Sequence, residues 1–73
     1  MIPPRRGQPV KAVSVNLVQR IREEFEEAPG LRITVSEGSR FWGLDETTCE
    51  HVLARLVAAG FLVRGVDQRY RQA

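Results

Sequence analysis

Apolar positions along this chain recur with two different periods, and proline and glycine mark the breaks between them. Between residues 15 and 28, Leu17, Val18, Ile21, Phe25 and Ala28 fall on one helical face, with Gln19, Arg20, Glu23, Glu24, Glu26 and Glu27 mostly around the other. Ser14 is placed to cap this first helix, and Pro29-Gly30 ends it. Leu31-Arg32-Ile33 alternates apolar and polar and predicts a short strand. Thr34-Val35-Ser36-Glu37 is a capping box, in which hydroxyl and carboxylate each satisfy the other residue's backbone N–H. It opens a short second helix that runs to Phe41 or Trp42 and stops at Gly43. Asp45 caps a third helix, whose apolar stripe is Cys49, Val52, Leu53, Leu56 and Val57, and Gly60 ends it. Phe61-Leu62-Val63-Arg64, the turn-forming Gly65-Val66-Asp67-Gln68 and the alternating Arg69-Tyr70-Arg71 predict a β-hairpin. Residues 1–13 hold Pro3, Pro4, Pro9 and Gly7 without an apolar period, so a flexible basic arm is expected ahead of one domain over 14–73. The expected class is α+β, mainly α: three helices, a short strand and a C-terminal β-hairpin.

Composition narrows the chemistry. A 73-residue chain buries only roughly 60% of its unfolded surface, which disfavours a deep catalytic cleft. One cysteine, Cys49, excludes an intramolecular disulfide and a cysteine-rich zinc site, and one histidine, His51, excludes a histidine-pair metal motif. No nucleophile–base pair or glycine-rich phosphate loop is present; Ser36 and Ser39 flank Gly38, but nothing sets them beside His51. Neither enzymatic activity, cofactor nor metal is therefore expected. No apolar run approaches the ~18 residues of a membrane span. Met1-Ile2-Pro3-Pro4-Arg5-Arg6 lacks the apolar stretch of a secretory signal, so the expected location is the reducing cytoplasm.

The net charge of +2 is unevenly spread. Residues 1–14 carry Arg5, Arg6 and Lys11; residues 15–59 carry five arginines against eight acids; residues 60–73 carry Arg64, Arg69 and Arg71 against Asp67. Basic ends around an acidic middle form a footprint suited to nucleic acid. The Glu23-Glu24-Phe25-Glu26-Glu27 run sits unfavourably near a helix C-terminus. It reads as a solvated face, with Arg20 and Arg22 placed four residues before Glu24 and Glu26, and alternatively as a docking face for a basic partner.

The order helix, strand, helix, tight turn, helix, hairpin resembles a winged helix-turn-helix domain over residues 15–71. The most specific stretch is Gly38 to Arg64. Ser39 stands where such folds place a small residue at the helix crossing, Trp42-Gly43-Leu44 matches the turn, and Cys49, Val52 and Leu56 match the inward positions. Leu56-Val57-Ala58-Ala59-Gly60-Phe61-Leu62-Val63-Arg64 looks like the junction of recognition helix and wing in small bacterial winged-helix DNA-binding regulators. The resemblance implies a double-stranded DNA partner and a role in transcription regulation. It puts the third helix, residues 45–59, in the major groove and the wing, residues 61–71, on the phosphate backbone.

The contacts it implies are Thr47, His51 and Arg55 from the third helix, Arg40 on the backbone, and Arg64, Gln68, Arg69 and Arg71 from the wing. Arg5, Arg6 and Lys11 would reach a minor groove or the backbone. Asp45, Glu46 and Glu50 bring carboxylates to the same reading surface, so arm and wing must supply the attraction for phosphate. A module this small favours a homodimer on a two-fold site. The alternative is a protein–protein interaction module without autonomous DNA binding, using the acidic faces of the first and third helices. Trp42, Cys49 and Tyr70 are expected to pack internally and His51 to be solvated. Phe41 either packs under the wing or offers an exposed contact to a second subunit.

Overall fold

Three helices, α1 (Val15–Glu27), α2 (Val35–Trp42) and α3 (Glu46–Ala58), precede an antiparallel hairpin of β1 (Leu62–Arg64) and β2 (Tyr70–Gln72) in the computed structural model, which describes residues 15–73. The chain is mainly helical α+β, as its patterning predicts. The arm over 1–13 and the cap at Ser14 lie outside the described residues. Among the described residues, no helix is long and apolar enough to cross a membrane.

The α1 stripe buries Ile21 and Phe25 and half-buries Leu17 and Val18. The helix stops one residue short of its pattern, and Ala28 is exposed. The cause is Pro29, which has no N–H to offer the carbonyl of Phe25. The side-chain amide of Gln72, on β2, donates to that carbonyl instead. Arg22 pairs with Glu26 at 3.4 Å as the spacing predicts, whereas no pair joins Arg20 to Glu24. The Arg22 guanidinium also lies over the Phe61 ring, 4.6 Å from its centroid, and so fastens α1 to the approach to the hairpin.

The strand expected over Leu31–Ile33 is reduced to one antiparallel bridge, Ile33 with Tyr70. The Leu31 N–H is spent on the Ala28 carbonyl in the turn after α1, and Thr34 already caps α2. Among the described residues of this segment only Ile33 is bridged to β2, exchanging bonds of 3.1 and 2.8 Å with Tyr70.

The capping box forms in full: the Thr34 hydroxyl accepts from the Glu37 N–H at 3.1 Å, and Glu37 Oε1 accepts from the Thr34 N–H at 3.0 Å. Gly43 ends α2 in the left-handed region (φ 69°), where a side chain would be strained. Ser39 closes the turn that follows, its hydroxyl donating to the Leu44 carbonyl at 2.7 Å. The small residue at the crossing is therefore Gly38 rather than Ser39. A β-carbon on Gly38 would lie 2.8 Å from Cζ3 of Trp42 and 3.0 Å from Sγ of Cys49. Asp45 caps α3, accepting from the Thr48 N–H at 2.7 Å.

α3 is the central element and packs on α1, α2 and β1. Cys49, Val52, Leu53 and Leu56 are buried and join Ile21, Phe25, Ile33, Leu62 and Tyr70 in one core. Val57, at the edge of the predicted stripe, is 37% exposed, while Thr48 in the first turn is buried. Half-buried Trp42 lies 5.9 Å from both Phe25 and Phe41, ring centroid to ring centroid, and its indole N–H has no partner among the described residues. Phe41 itself is 65% exposed.

In the hairpin, Leu62 stands opposite Gln72, Val63 opposite Arg71 and Arg64 opposite Tyr70. The turn closes through the Gln68 N–H to the Gly65 carbonyl at 3.0 Å, with Gln68 in the left-handed conformation (φ 68°).

Candidate nucleic-acid interface

α3 is held from behind by the rest of the fold, and its outward face stays in solvent. Thr47, His51 and Arg55 are all exposed on it, and so are Glu46 and Glu50. Its C-terminal half adds the exposed Ala54, Val57 and Ala58, which border a shallow depression of about 390 Å³ completed by Arg64 and Tyr70 of the hairpin. Arg64 thus stands beside the outer face of α3. Arg40, in the last turn of α2, is exposed and donates to the Ser36 hydroxyl at 3.3 Å.

The hairpin residues divide into two groups. Arg64 and Arg71 are exposed and take part in no ion pair among the described residues. Together with Arg32, Gly65, Val66 and Asp67 they line a depression of about 540 Å³. Gln68 is exposed at the tip. Arg69, expected as a wing contact, is paired within the fold: its guanidinium donates to Glu37 Oε1 at 2.8 Å and lies 4.0 Å from Asp67. It lines a different depression, of about 310 Å³, with Leu31, Arg32, Ile33, Glu37 and Phe41.

The local electrostatics follow from these bonds. The Thr34 N–H holds the Glu37 carboxyl below its ordinary range; partial desolvation opposes this, and the Arg69 charge adds to the lowering. The Thr48 N–H does the same for Asp45. Burial pushes the Cys49 thiol up to about 11, with the charge of Glu46 adding to it, so this cysteine is an inert core residue. Among the described residues, no group of histidine, cysteine and carboxylate side chains is placed to hold a metal ion.

Sequence reasoning omitted Arg32 from the basic surface. Its signal was the alternation Leu31-Arg32-Ile33, which turns Arg32 away from the side that buries Ile33. The described residues carry eight arginines against nine carboxylates, a net charge of −1, so any attraction for a polyanion is local to patches of exposed arginine or comes from residues 1–14. Compared with protein-family models, with curated proteins and with solved structures, the chain gives no match.

Proposed function

We propose that this chain is a winged helix-turn-helix module that binds double-stranded DNA in the cytoplasm, as a small transcriptional regulator. The observation that carries the reading is the position of α3. It is packed on three sides and joined to α2 by the Gly43–Asp45 turn, yet it leaves Thr47, His51 and Arg55 uncovered beside the hairpin's Arg64. A helix so placed enters a major groove while the hairpin meets the flanking backbone. Thr47 and His51 then offer hydrogen bonds to base edges, and Arg55 a guanine or phosphate contact. Glu46 and Glu50 oppose phosphate on the same face, so affinity comes from Arg64, Arg71, Arg40 and the basic residues Arg5, Arg6 and Lys11.

Fluorescence anisotropy of a labelled mixed-sequence duplex, titrated with protein across a salt series, tests this. The expected log–log slope is about −3 to −6, the mark of several neutralised phosphates. Absence of binding at low salt by the folded chain overturns the reading. A single module covers only about 600–1,000 Å² of DNA, so a homodimer on a two-fold site is the expected specific complex.

Exposed Glu46 and Glu50, with no ion pair among the described residues, favour a second reading: a protein-interaction module for a basic partner. Charge reversal at both positions separates the two. It strengthens DNA binding on the first reading and abolishes a protein contact on the second.

A further inference from the structure

We propose that Arg32 and Arg71 form a phosphate-binding site on the outer side of the hairpin, with Arg64 at its rim. The inference deepens the DNA-binding reading, on which it rests for the source of the phosphate, and adds to it a residue from outside the hairpin and the helices.

The placement follows from strand register. Ile33 and Tyr70 exchange two backbone hydrogen bonds as an antiparallel pair, and both are buried. One step along that register brings Arg32 abreast of Arg71, each on the side facing away from the core. Arg64, the last residue of β1, stands opposite Tyr70 and so projects toward α3, but it also borders this depression at its rim. Three arginines from three separate segments thus border one concavity of about 540 Å³, with Arg32 and Arg71 on its outward side.

Like charges abreast across an antiparallel pair repel. Two arginines of the fold are paired with a carboxylate, Arg22 with Glu26 and Arg69 with Glu37. Among the described residues, Arg32, Arg64 and Arg71 have neither ion pair nor hydrogen bond from their side chains. The one acid in the lining, Asp67, is engaged by the N–H of Arg69 at 3.1 Å and approached by its guanidinium at 4.0 Å. The concavity therefore carries an excess of positive charge, three arginines against one carboxylate. Planar guanidinium forks match tetrahedral phosphate oxygens in paired hydrogen bonds, and an anion between Arg32 and Arg71 turns their repulsion into attraction.

The test compares the full chain with Arg32→Gln and with a control, Arg20→Gln, on the exposed side of α1. Thermal unfolding is followed in inorganic phosphate and in chloride at equal ionic strength, and duplex binding is followed across salt. The site requires that phosphate raise the melting temperature of the native chain and of Arg20→Gln, and that Arg32→Gln lose this rise. It also requires that Arg32→Gln weaken binding alike on unrelated duplexes and flatten the salt slope by about 1. An Arg32→Gln variant with unchanged DNA affinity and slope, and a phosphate response equal to the native chain's, overturns the site. If the native chain binds no duplex at all, the DNA reading falls and the phosphate response alone decides. A rise that depends on Arg32 upholds the site for another phosphate source, and one indifferent to Arg32 overturns it.

Discussion

The backbone carbonyl of Phe25 accepts its hydrogen bond from the side-chain amide of Gln72, because the residue that would ordinarily supply it four positions on is Pro29. One side chain from β2 thus completes the last turn of α1. Replacing Gln72 with alanine leaves a partly buried acceptor unmet and is expected to cost about 1–2 kcal/mol. In a Pro29→Ala background the chain regains a donor at position 29, and the same replacement costs less. Thermal melts of the four chains of this cycle check the coupling; equal costs in both backgrounds refute it.

Glu37 serves two partners through one oxygen, closing the α2 cap with Thr34 and holding Arg69. Glu37→Gln weakens the cap and releases Arg69, so lower thermal stability should accompany tighter duplex binding. Conversely, Arg69→Gln is expected to leave the salt slope nearly unchanged, while Arg71→Gln flattens it by about 1. Anisotropy titrations on these variants decide the matter. An Arg69→Gln effect as large as that of Arg71→Gln would show that the ion pair opens on binding.

Acid should destabilise the fold through the two caps. The folded-state carboxyls of Glu37 and Asp45 are both held below their ordinary ranges by backbone N–H groups. Groups depressed in this way stabilise the folded chain fully above their unfolded pKa values, near 4. That contribution disappears as pH falls through the lower folded values. Melting temperature is therefore expected to drop below about pH 4, and Asp45→Asn should flatten the acid limb. An acid limb identical in the native chain and in Asp45→Asn counts against this origin.

The contact of Gly38 with Trp42 and Cys49 leaves no room for a methyl group. Alanine would improve helix propensity by about 1 kcal/mol, but overpacking against a rigid indole costs about 1–3 kcal/mol. Gly38→Ala is expected to be net destabilising by about 1 kcal/mol. Combined with Cys49→Ala it should be less than additive. A stabilised Gly38→Ala variant, read from chemical denaturation, would place the crossing elsewhere.

What was legible in the sequence is chemistry that acts over three or four residues. The Thr34–Glu37 box, the left-handed stop at Gly43 and the Asp45 cap all depend on neighbours along the chain, and each formed as its residues indicated. What was illegible depends on the meeting of distant segments. Gly38 and Ser39 are both small, and only the phase of α2 against α3 decides which one faces Cys49. The pairing of Arg69 is not visible in the sequence because its partner, Glu37, lies 32 residues away. Arg32 was passed over because its neighbour Arg71 is brought alongside by a single bridge. Of the candidate interface, the outward residues of α3 followed from helical period, whereas the division of the hairpin arginines into committed and free did not.

The brevity of the hairpin bears on how copies of this chain can meet. β1 offers a free edge only three residues long, and it ends at the charged Arg64. Such an edge is a poor template for strand addition and guards against sheet-to-sheet aggregation. A dimer assembling on a two-fold site must therefore be built from side-chain packing, for which exposed Phe41 offers an aromatic surface, and not by continuing the sheet from one copy into the next.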